Sequence, residues 1–219
     1  MKLRMTLTGV LAVAGILGLV GHAQATLILQ TGLVGGSGDV DNVIFNACGT
    51  SSGPSTLIQG CLNTNHSTLV NFTGNENLVV PGGGQARIDA AVGGFDFINI
   101  ALADPSLGFS KLQFNLDAIA DGTANFQAID QFGGVFNFSF ALDGKGQNFF
   151  TLYSLDNQVA RSFSLTSTVA IQNITDLEQV RLGPATITTQ AVPEPGSLAL
   201  LGVGLLGVAG LTRRRGAGR

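Results

Sequence analysis

The residues able to do chemistry in this 219-residue chain are few and scattered. Between the two apolar ends the one histidine is His66, set in Asn63-Thr64-Asn65-His66-Ser67. Nucleophilic catalysis needs a base within reach of a serine or cysteine, commonly raised on a sharp strand-to-helix elbow, and this polar run supplies none. His66 therefore reads as a surface-loop residue. Carboxylates are the richer resource: thirteen acids stand against five bases between residues 26 and 190, a net of −8 where the whole chain carries −3. Two carboxylates held a few ångströms apart could hydrolyse a glycosidic bond, one as acid and one as nucleophile or base, but no spacing singles out a pair. Asp39-Val40-Asp41-Asn42 offers hard oxygens of the kind Ca²⁺ takes. It departs from an EF-hand loop at Val43 and Thr50, and reads first as a turn with solvated acids. The runs Gly35-Gly36-Ser37-Gly38 and Pro81 to Gly84 lack the G-K-[ST] ending of a phosphate cradle. No cofactor is expected, and the acidic balance argues against a nucleic-acid partner, which would attract a basic patch.

Whatever those side chains do, strands must position them. In Val135-Phe136-Asn137-Phe138-Ser139-Phe140 three phenylalanines fall on one face and small or polar residues on the other, the period of a half-buried strand. Arg87 to Val92 alternates in the same way. Further strand-like runs are Leu69 to Phe72, Phe95 to Leu102, Lys111 to Leu116, Ala124 to Ile129, Phe149 to Ser154, Arg161 to Val169 and Ala185 to Thr189. Turn signals such as Gly93-Gly94, Asp121-Gly122, Gly133-Gly134 and Asp143-Gly144 separate them. Many short strands punctuated every ten or so residues point to an all-β antiparallel sandwich or barrel. One short helical turn is expected at Thr175-Asp176-Leu177-Glu178, with Thr175 as N-cap and Glu178 three residues on.

The two ends have a different character. Lys2 and Arg4, the apolar run Leu7 to Val20, and Ala23-Gln24-Ala25 make up the n-region, h-region and small-x-small site of a signal peptide over residues 1–25, with signal peptidase cutting before Thr26. An uncleaved membrane anchor is the competing reading. At the other end, Val192-Pro193-Glu194-Pro195-Gly196 precedes an apolar run from Ser197 to Leu211, and Arg213, Arg214 and Arg215 follow in the tail 212–219. At about 1.5 Å per residue that run gives roughly 22 Å of helix against about 30 Å of hydrocarbon, a short span. The arginines behind it favour a cytoplasmic C-terminus, which leaves residues 26–190 outside. Prolines at 193 and 195 hold the strip extended, and Glu194 gives it a charge an enzyme could recognise. In an exported segment Cys48 and Cys61 are expected to pair, closing a loop worth about 3 kcal/mol. Metal binding or a reactive thiol is the rival reading, and it would need ligand spacing that this chain lacks.

The 191–219 segment closely resembles the PEP-CTERM sorting signal of exopolysaccharide-producing bacteria, whose carriers are processed by exosortase, a membrane transpeptidase-like enzyme. The resemblance implies export across a Gram-negative inner membrane, which the tail engages transiently, and a final place in the cell envelope or outside the cell. A permanent tail anchor is the alternative. Gly144-Lys145-Gly146-Gln147-Asn148-Phe149-Phe150-Thr151-Leu152 and Ile174 to Gly183 resemble the closing half of the lectin-like jelly-roll domains in many such proteins. That likeness implies a jelly-roll-like β-sandwich over 26–190, with Arg181 pairing an acid at a sheet rim. The functional expectation is a non-enzymatic envelope or matrix protein, in contact with extracellular polysaccharide. A secreted carbohydrate-active hydrolase using a carboxylate pair is the alternative. Sugar platforms commonly use aromatic faces, and this chain has no Trp, one Tyr (Tyr153), and phenylalanines that read mostly as core.

Overall fold

A computed structural model describes residues 26–35, 38–49, 53–82, 86–155, 158–171 and 177–188. They are all-β and antiparallel. The strands are β1 (Leu27–Thr31), β2 (Asp41–Ile44), β3 (Ser55–Leu62), β4 (Leu69–Val79), β5 (Arg87–Ala90) and β6 (Phe95–Leu102). They continue as β7 (Leu107–Leu116), β8 (Gly122–Asp130), β9 (Val135–Leu142), β10 (Asn148–Ser154), β11 (Ala160–Ile171) and β12 (Leu177–Thr186). Their order is β1-β10-β7-β12-β2-β3-β4-β6-β11-β8-β9, with β5 bridging β12 and β4. A pairing of Ala160 with Phe109 joins β11 to β7 and closes seven of the strands into a barrel. Closure removes the exposed edges that an open sheet would leave on those seven.

The jelly-roll-like sandwich is thus corrected in its connectivity: one continuous sheet closes on itself where two separate sheets were expected. The sandwich-like feature lies in two arms outside the ring. β10 and β1 extend from β7, β8 and β9 extend from β11, and phenylalanines from the two arms meet. Phe126 of β8 lies 4.9 Å from Phe150 of β10, and Phe114 of β7 lies 5.4 Å from Phe163 of β11, measured between ring centres. These four rings are all buried, and each such burial contributes about 1.5–3 kcal/mol relative to exposure. β8 shows the sequence cause, with Ala124, Phe126 and Ala128 buried while Asn125 and Gln127 are exposed.

Other local expectations meet the structure unevenly. The alternation through Val92 stops at Ala90: Val92 is 86% exposed, and Gly93 turns the chain with a φ of +70°. The helical turn at Thr175–Glu178 is also corrected. Leu177 and Glu178 open β12, paired with Leu116 and Asn115, while Thr175 and Asp176 lie outside the described residues. Cross-strand pairing outweighs a local capping signal there, because Leu177 is buried in the core. The run read as Ala185 to Thr189 begins as the end of β12, and β1, β2 and β3 are strands the alternation did not mark. The glycine-framed entry to β10 is as expected. The Asn148 side chain accepts from the Asp143 N–H at 2.8 Å, and Gly144 passes so close to the Ala120 backbone that a side chain would not fit.

Both ends of the described body lie at one end of the sheet. Leu27 pairs with Ser154, next to Tyr153, which faces Lys111, while Thr186 pairs with Leu107 four residues earlier on the same strand.

Candidate functional site

The outer face of the sheet from β3 to β9 carries the most distinctive surface. One row crosses six strands through registered neighbours: Leu57, Thr73, Asn99, Ser164, Gln127 and Asn137. The next row holds Phe97, Thr166, Asn125 and Ser139. None of these side chains ionises. In a body with a net charge of −8 this is a neutral field of amides, hydroxyls, one leucine and one aromatic ring. Between β6, β11, β8 and β9 the field dips into a depression of about 480 Å³, lined by Phe97, Asn125, Gln127, Asn137, Ser164 and Thr166 among others. Gln127 Nε2 donates to Asn137 Oδ1 at 3.1 Å, and on β3–β4 Gln59 Nε2 donates to Asn71 Oδ1 at 2.8 Å. Such cross-strand amide pairs hold donors and acceptors in fixed directions.

Phe97 is the residue here that sequence reasoning missed. Its parity with Phe95 suggests one shared face, yet Phe95 is fully buried and Phe97 is not. The difference coincides with a register shift in the facing strand, where Thr166 faces Phe97 and Ile171 faces Phe95, so that Ser167 to Ala170 stand opposite Asp96. The available signal was Ile98 and Ile100, whose burial sends Phe97 and Asn99 outward.

A second, smaller pocket of about 280 Å³ lies between Val34, Gly35, Asp39, Ser110, Lys111 and Tyr153. The buried Lys111 ammonium donates to both Asp39 oxygens, at 2.9 and 3.1 Å, and to the Gly35 carbonyl at 3.2 Å. This disposes the Asp39-Val40-Asp41-Asn42 run differently from a cation loop. Asp39 is spent on a lysine, Asp41 and Asn42 run within β2, and the Asn42 side chain accepts from Arg181 Nε at 3.1 Å. Arg181 therefore meets an amide where an acid was expected. Among the described residues no three His, Cys, Asp or Glu side chains gather as a metal site.

Several of the other described carboxylates hold turns and strand ends. Asp130 accepts from the N–H groups of Phe132 and Gly134 in the β8–β9 hairpin and from the Gln158 side chain. Asp121 accepts from Gly144 N–H, Asp143 from Lys145 N–H, and Glu178 from Asn115 Nδ2. Asp104 takes both the hydroxyl and the N–H of Ser106, which together hold its carboxyl below the ordinary aspartate value. His66 is exposed in the turn between β3 and β4. Cys48 and Cys61 form a disulfide with Cα atoms 5.5 Å apart, which ties the segment after β2 to β3.

The remaining candidate residues fall outside the described ones: the signal cleavage residues Ala23 and Ala25, the sorting motif Val192, Pro193, Glu194 and Pro195, the span 197–211, and the membrane stop Arg213, Arg214 and Arg215. For the C-terminal segment a comparison with known families speaks directly, since residues 191–215 match the PEP-CTERM protein-sorting motif. No curated protein and no solved structure matches the chain. The chain therefore carries a PEP-CTERM protein-sorting motif, which implies an exported, cell-surface-associated protein processed by exosortase.

Proposed function

We propose that residues 26–190 form a non-enzymatic protein of the envelope or extracellular matrix, and that its outer sheet face binds a neutral polysaccharide after exosortase removes the tail. The observation that carries this reading is the charge-free depression around Phe97, Asn125, Gln127 and Asn137. A sugar chain presents hydroxyls that both donate and accept, and an amide side chain matches both roles at once. An aromatic ring covers the apolar face of a sugar, and Phe97 is one of three phenylalanines lining the depression, beside half-buried Phe138 and buried Phe126. Neutral partners suit each other because neither side must strip water from a charge. The non-enzymatic part draws support from the carboxylates, of which Asp39, Asp104, Asp121, Asp130 and Asp143 are engaged by a lysine or by turn N–H groups.

The test is co-sedimentation of the exported protein with an uncharged hexose polymer, with an acidic polysaccharide as comparison. Binding to the neutral polymer should weaken about tenfold in Phe97→Ala and again in Gln127→Ala, the loss expected for one stacking contact or one hydrogen-bonded amide. Equal retention of the wild type and both variants would remove the outer face from the mechanism. Release of reducing ends from the polymer would favour the carboxylate-pair hydrolase.

A further inference from the structure

We infer that β9 is a self-association edge at which two copies of this chain pair about a two-fold axis centred on Phe138. β9 ends the strand order, and its sole strand neighbour among the described residues is β8. Edge strands are normally guarded by a charged residue, a proline, a bulge or short length, because unpaired N–H and C=O groups template another chain. β9 has none of these guards. It runs eight residues, Val135–Leu142, in unbroken register with β8, and nothing from Gln131 to Leu142 ionises.

The sequence is also self-complementary in the antiparallel sense. Reading outward from Phe138, Asn137 meets Ser139, Phe136 meets Phe140 and Val135 meets Ala141. A two-fold axis perpendicular to the sheet keeps each residue on its own face. Phe136, Phe138 and Phe140 then continue one apolar row into the same three rings of the second copy, and the polar residues continue the outer face. Those three rings are packed against the core yet only half-buried, and a second β9 would cover their open side. Charge selects the same edge. Copies with a net of −8 repel each other, and a contact through twelve uncharged residues brings them together with the least cost.

The register makes the proposal testable independently of polysaccharide binding. Val135 is 53% exposed and Ala141 is exposed, so charges there leave the protomer's core alone, and the two sites are six residues apart within one strand. Light scattering on the exported protein should give twice the protomer mass. Val135→Lys with Ala141→Lys sets like charges opposite each other across the axis and should give the protomer mass. Val135→Lys with Ala141→Glu sets opposite charges there and should restore the dimer. In the wild type, exchange of the β9 amides should slow about tenfold as concentration rises through the dimer transition, a readout that needs no variant. A wild type that stays a protomer, or a dimer untouched by the double lysine change, overturns the inference. Particle mass that keeps growing with concentration would overturn the two-fold axis in favour of open-ended pairing of β9 with β1.

Discussion

Lys111 and Asp39 form an ion pair whose two halves are not equivalent. The lysine side chain is 8% exposed and the aspartate 61%, so water can replace the lysine for Asp39 but cannot easily replace the aspartate for Lys111. Asp39→Ala is therefore expected to cost about 2 kcal/mol by stranding a buried ammonium, and Lys111→Met appreciably less, because it leaves a solvated carboxylate and an apolar stem. Urea unfolding of the two variants checks the order, and equal losses would mean that the pair, rather than the burial of one member, carries the energy. Spacing could not have announced this contact, because the partners are 72 residues apart and meet through the strand order. The same holds for Asn42 with Arg181, 139 residues apart. Cys48 with Cys61 was legible because two thiols in an exported segment leave one pairing.

β7 carries the closure of the barrel, and a glycine makes the closure possible. A Cβ on Gly108 would run into the Ala160 carbonyl oxygen and the Val159 side chain, where β7 meets β11. Gly108→Val should destabilise the fold by about 2–3 kcal/mol through overpacking and loss of that pairing. Gly38→Ala, with open space around it, should change stability by less than about 0.5 kcal/mol. Thermal melts of the two variants make the comparison, and a Gly108 variant as stable as the Gly38 variant would show that the ring does not depend on this approach. Alternation found β8 and β9 well, because each has one face toward the core and one in water. It was weakest for β3, where Gly60, Cys61 and Leu62 are all buried and the period of two disappears. β7 shows the same limit, since Lys111 to Leu116 is buried throughout, Gln113 and Asn115 included. Closure itself was illegible: the one residue pair that joins β11 to β7 leaves no periodic trace. The outer-face site was partly legible, since Asn137 and Ser139 alternate with phenylalanines, but their neighbours on β11 and β6 come from the sheet order alone.

At the scale of the whole molecule, the sorting motif predicts two forms of the protein. Mass spectrometry of the product from the native host should end near Pro193–Pro195 and lack Leu198 to Arg219, and a strain without exosortase should retain a longer, membrane-bound form. Full-length protein in both strains would make the tail a permanent anchor. The strand registers add a mechanical consequence. Leu27 and Thr186 belong to strands three spacings apart, about 14 Å at the usual distance between neighbours, and both chain ends depart from the same end of the sheet. A leader and a tail held together in one bilayer would thus pull on a folded body in one direction, like two mooring lines from a single bow. If both a leader and the tail are cleaved, cutting either line would neither turn the body over nor shear its sheet, and the two cuts could come in either order.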